Sequence, residues 1–126
     1  LNQQAIRDKS VADMKATGAV LGTERTEHYF HTSGDGSYTI TDNDYYSDGG
    51  ADSFNFVGLL KADIEFSRSA GNDLNLSLAN GEDVIVKNFF NSSHDYVIEN
   101  FIFDDGTAVT AAQLFSAPVS NGLLMV

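Results

Sequence analysis

The sequence predicts an all-β fold, and three observations predict it. From Tyr38 onward the chain breaks into short runs of β-branched and aromatic residues bounded by Gly and Asp. Several of these runs alternate apolar with polar residues, the period of a strand with one face in a core. Turn sequences such as Gly71-Asn72, Asn80-Gly81 and Asp105-Gly106 separate them. At 126 residues, 42% of them hydrophobic, the chain is sized for one compact domain with its own core.

Each element follows from its residues. In "QQAIRDKSVADMKA", Ala5, Ile6, Val11 and Met14 are loosely helical in spacing, which predicts a marginal helix or a linker over residues 1–27. "SYTIT" and "DSFNF" are predicted strands. "DIEFS" sets Ile64 and Phe66 on one face, "DLNLSL" does the same with Leu74, Leu76 and Leu78, and "RSAGND" between them predicts a hairpin. "NGED" then turns the chain into "VIVKNFF". The next strand, "YVIENFIF", sets Phe101 and Phe103 on one face, and with Phe89 and Phe90 they are expected to form an aromatic core. After the turn "DDGT", Thr110 is the expected N-cap of a short helix in "TAAQLF". Beyond Pro118 the uncharged tail "VSNGLLMV" is suited either to dock as a final strand or to stay free.

Composition removes whole classes of function. There are no cysteines, so neither disulfides nor a thiolate metal site hold this fold, and a bound metal is the expected staple. A net charge of −11 argues against nucleic-acid and anionic-membrane partners. No apolar run approaches the roughly 20 residues of a membrane span. The segment "LNQQAIRDKSVADMK" lacks the apolar stretch of a signal peptide, and its first residue, not Met, points to a fragment of something longer.

The acid is concentrated. Residues 28–60 carry Asp35, Asp42, Asp44, Asp48 and Asp52 with no Lys or Arg, whereas residues 1–27 are charge-neutral. Hard cations such as calcium take about six to eight oxygen ligands, supplied by carboxylates and by carbonyls that glycines free to turn inward. An EF-hand starting at Asp42 fails, because Ser47 and Ser53 stand where the loop needs Gly and Glu. The parallel β-roll repeat, G-G-x-G-x-D-x-U-x with U a large apolar residue, fits better. Gly50 and Asp52-Ser53-Phe54 obey it. Gly34, Gly36 and Ile40 obey it too, but Tyr38 stands in the aspartate position; Glu27-His28-Tyr29 is a further, decayed copy. Ile40 and Phe54 are fourteen residues apart, so the strict period is broken, as at the end of a roll.

These residues, followed by "ADIEFSRSAGNDLNLSLANGEDVIVKNFF" and "YVIENFIFDDGTAVTAAQL", closely resemble the carboxyl-terminal end of RTX proteins, the haemolysin-type calcium-binding exoproteins. The module F-x-R-x-G-N-D-L, V-x-V-x-N-W/F-F, I-E-x-I-x-F-x-D-G-T corresponds to Phe66 to Leu78, Val84 to Phe90 and Ile98 to Thr107, with Ala70 inserted before Gly71. The resemblance covers about residues 29–115. It implies a short calcium-bound β-roll end over residues 28–60, a hairpin-rich capping module over 61–115, and a tail, 116–126, that carries a type I secretion signal. It also implies export of the unfolded chain, with calcium-driven folding outside a Gram-negative cell. Calcium and the type I secretion apparatus are then the partners, and the isolated fragment is expected to be monomeric.

No catalytic role is expected. His28 and His31 form an H-x-x-H pair, but on a strand positions i and i+3 face opposite ways, so a surface role is expected and not a metal site. His94, Ser92 or Ser93, and Asp95 have the residue types of a hydrolase triad, yet neighbours in one loop do not reach that geometry. Asn72-Asp73 reads as turn chemistry. The function expected is a non-catalytic, calcium-dependent folding and secretion module with Asp35, Asp42, Asp44, Asp48 and Asp52 as calcium ligands. A calcium-dependent adhesion or carbohydrate-binding module is the alternative.

Overall fold

The computed structural model describes residues 19–21, 28–41, 52–69, 71–91 and 97–126. Among them the chain is all-β, with one short α-helix, and the expected amino-terminal helix lies outside the described residues. No described helix is long and apolar enough to cross a membrane.

Two sheets share the strands in a regular order. Strands β1 (Ala19–Leu21), β2 (His28–His31), β3 (Tyr38–Thr41) and β4 (Ser53–Phe56) alternate between them. Thus β1 runs parallel to β3 in one sheet, and β2 parallel to β4 in the other. Strands therefore begin upstream of Tyr38, where the residue pattern starts to show them. β1 is three residues long, too short for alternation to be read.

After a 3-10 turn (Lys61–Asp63), β5 (Ile64–Arg68) and β6 (Leu74–Leu78) form the expected hairpin, with Phe66 opposite Leu76. β6 pairs antiparallel with β7 (Asp83–Val86), which returns to run parallel beside β3, Tyr38 opposite Val84. The chain then crosses to the other sheet as β8 (Asn100–Ile102), parallel beside β4, and turns back as β9 (Ala108–Thr110). The pair β7 and β8 thus adds one more alternating turn to the winding begun by β1 to β4, after which antiparallel pairing takes over.

Helix α1 (Ala111–Ser116) starts at the expected cap: Thr110 Oγ1 accepts from Gln113 N–H (3.3 Å), and Gln113 Oε1 accepts from Thr110 N–H (2.8 Å). The tail docks. β10 (Val119–Ser120) and β11 (Leu123–Leu124) form a small hairpin whose β11 pairs with β5, Leu123 opposite Ser67, and Leu124 is buried.

One core lies between the sheets. Ile40, Phe66, Leu74, Leu76, Val84 and Val86 enter it from one side, and Tyr29, Phe54, Phe56 and Phe101 from the other. Phe66 meets Phe101 and Phe103 edge-on, at 5.9 and 6.4 Å between centroids, and Phe56 stacks on Phe103 at 5.2 Å. The aromatic core expected from the sequence is present. Phe90 sits at its rim, edge-on to Phe89 and under the Arg68 guanidinium.

Candidate functional site

Asp52 stands one residue before β4 and is fully buried, whereas the Phe54 two residues on reaches the core from the same face. The β4–β8 register sets Ser53 opposite Asn100, which brings Glu99 beside Asp52. Asp52 N–H donates to Glu99 Oε1 (2.7 Å), and Asn100 N–H donates to the Asp52 carbonyl (3.2 Å). Ala111 N–H, at the start of α1, holds the Glu99 carbonyl (2.9 Å). Two acids therefore meet at one end of the four-stranded sheet, where burying a carboxylate is costly unless it is hydrogen-bonded or coordinated. The segment that leads into Asp52 contains Asp42, Asp44 and Asp48, and these three lie outside the described residues.

Asp35 lies elsewhere. It sits in the turn between β2 and β3, where its Oδ2 accepts from Thr32 N–H (3.1 Å). Because β2 and β4 are parallel, with His28 opposite Ser53 and His31 opposite Phe56, Asp52 precedes one end of the pair and Asp35 follows the other. The four-residue strand between them is roughly 13 Å long. Calcium holds its oxygens at about 2.3–2.6 Å, so Asp35 and Asp52 do not ligate one ion.

A second cluster surrounds Asp35. His31 is fully buried, its Nδ1 is 2.8 Å from Tyr38 Oη, and its ring lies face-on to Phe54. Nδ1 is also 4.0 Å from Asp35 Oδ2, and Nε2 is 3.7 Å from Glu82 Oε1. The expected surface role holds for His28, which is exposed, but not for His31. With Tyr29 turned into the core, His31 two residues on shares its face. Burial, followed by the charges of Asp35 and Glu82, pushes the Tyr38 phenol well up, so it stays protonated and able to donate.

Glu82 is the centre of this cluster. It accepts from Gly34 N–H (2.9 Å), from Gly36 N–H and from Asn80 Nδ2 (2.6 Å). Burial works to raise its pKa, but the bonds from Asn80, Gly34 and Gly36, with His31 beside it, outweigh that and hold the carboxyl below its usual range. The cluster is not arranged as a metal cage. The two nitrogens of His31 face different carboxylates, and among the described residues no group of three or more His, Asp or Glu is placed to hold a metal ion.

Glu82 and Glu99 are the residues that sequence reasoning missed. Glu99-Asn100-Phe101 repeats the acid-x-aromatic spacing of Asp52-Ser53-Phe54, and Glu82-Asp83-Val84 is its aliphatic equivalent. That spacing was the available signal.

Residues 73–113 are similar to the family described as haemolysin-type calcium binding protein related domain. The matched stretch runs from the β5–β6 turn into α1. It includes Glu82 and Glu99, covers less than half of the chain and does not reach the aspartate-rich segment 28–60. A search of curated proteins found no match. The similarity supports an RTX-like, calcium-binding character.

Proposed function

We propose that this chain is a non-catalytic, calcium-dependent folding and type I secretion module of an RTX-like exoprotein. In this reading the alternating strands over residues 28–60 are the end of a parallel β-roll, and residues 61–115, whose β7 and β8 pair parallel with β3 and β4, are its cap. The observation that carries it is the buried Asp52 carboxylate one residue before β4, beside Glu99 and next in sequence to the aspartate-rich segment.

Calcium is held by Asp52 together with Asp42, Asp44 and Asp48. It neutralises acids that otherwise repel one another, and so stabilises the folded state over the unfolded one by binding linkage. Where calcium is scarce this repulsion lowers the stability of the fold and favours export; where calcium is abundant the folded state is stabilised. The site chemistry needed is binding alone, and no step breaks a covalent bond.

Thermal unfolding in chelator and in millimolar calcium, followed by a glycan screen, tests this reading. The expected result is a higher melting temperature in calcium with no glycan bound. An unchanged melting temperature would overturn it. Calcium-dependent glycan binding would favour the adhesion alternative.

A further inference from the structure

The turn over residues 32–37 and the one over 79–82 are far apart in sequence but lie side by side. Three hydrogen bonds outside the strand ladders join them, and a fourth ties the first turn to Asp83 at the start of β7. Asn80 Nδ2 donates to Ser33 Oγ (2.9 Å), Gly34 N–H to Glu82 Oε1 (2.9 Å), Gly36 N–H to Glu82 Oε2, and Asp83 N–H to Ser37 Oγ (2.9 Å). Gly34 and Gly36 have φ of 100° and 91°, a region that side-chain-bearing residues rarely adopt. Their two N–H groups converge on one carboxylate, as backbone nests do on anions.

The turn thus has glycine spacing suited to calcium but presents the opposite polarity. A cation needs oxygens, and N–H hydrogens aimed at the same point repel it. Tyr38 stands where a roll repeat carries its aspartate, and its hydroxyl meets the buried His31. These residues do not fit the metal that the roll pattern implies.

We propose that the turn over residues 32–37 takes no calcium and is closed by the Glu82 carboxylate as a built-in anion. Asp35 is then a turn residue, holding Thr32 N–H, and not a calcium ligand. The clamp ties the winding to the β6–β7 hairpin at every calcium concentration. The proposal rests on the reading of the winding as a roll, but not on calcium binding at Asp52.

Amide hydrogen exchange of the whole chain, in chelator and in millimolar calcium, tests it. Gly34 and Gly36 are expected to be protected in chelator as well as in calcium. Glu82→Gln, which sets an NH2 group against one of the two glycine N–H groups, should speed their exchange roughly tenfold or more in both, as loss of a charged hydrogen bond implies. Asp35→Asn should leave the midpoint of a calcium titration unchanged, whereas Asp52→Asn should shift it. If Glu82→Gln unfolds the chain, the wild-type comparison between buffers decides. Protection of Gly34 and Gly36 that appears only in calcium, or a shifted midpoint in Asp35→Asn, would overturn the proposal. Protection in both buffers with no calcium response anywhere would support the clamp while sinking the calcium site at Asp52.

Discussion

Leu76→Ala probes the part of the fold that should need no metal. Leu76 is fully buried at the centre of β6, opposite Phe66 of β5 and Val84 of β7, and both of those side chains are buried too. The substitution removes three carbons, about 2.4 kcal/mol of transfer free energy at about 0.8 kcal/mol per buried CH2. Three strands pin the position, so the site cannot collapse fully, and a cavity term brings the expected cost to about 2–5 kcal/mol. With a urea m-value of about 2 kcal/mol per M, the midpoint should fall by about 1–2.5 M. Far-UV circular dichroism during urea titration, in chelator and again in calcium, measures this. The loss should be the same in both buffers with m unchanged. A cost under about 1 kcal/mol, or no cooperative transition in chelator, would refute the claim that antiparallel pairing around β6 forms a metal-independent core.

Three further outcomes follow from the geometry. The Glu82 carboxyl has a folded pKa below its unfolded value, so its contribution is fully present above the unfolded pKa and is lost as pH falls through the folded one. The stability gap between wild type and Glu82→Gln in chelator should therefore close on acidification, and a constant gap down to the acid limb would contradict the assignment. Thr110→Ala should cost about 0.5–2 kcal/mol by removing the cap of α1, and a denaturant midpoint unchanged from wild type would show that the cap is dispensable. Deleting residues 119–126 removes β10 and β11 with the buried Leu124, so the purified chain should lose roughly 1.5–3 kcal/mol; under the proposed function the same deletion also abolishes secretion of a reporter fused upstream, and undiminished secretion would exclude a signal in the tail.

Local pattern made part of this fold legible. Ile64, Phe66, Leu74, Leu76 and Leu78 alternate on either side of a tight turn, and the β5–β6 hairpin follows from that alone. Thr110 and Gln113 likewise spell a capping box within four residues. The parallel pairings were less visible, because β3 meets β7 and β4 meets β8 over more than forty residues of intervening chain. An acid takes its role from the strand it lands beside, which is why Glu82 and Glu99 read as ordinary surface carboxylates until the register is known. His31 was legible in principle: once Tyr29 is assigned to the core, period two carries His31 in with it. Asp35 and Asp52 look alike in sequence, yet one lies beyond each end of the β2–β4 pair, a distinction only topology makes.

Calorimetric titration of calcium into the chain and into Asp52→Asn decides whether calcium binds next to Asp52. Calcium binding at Asp52 predicts a saturable heat for the wild type at physiological salt. It also predicts a gain of about 2.7 kcal/mol in stability when calcium reaches a hundred times its Kd, and loss of most of that affinity in Asp52→Asn. No heat and no stabilisation at several millimolar calcium, or identical titrations for the two proteins, would contradict it.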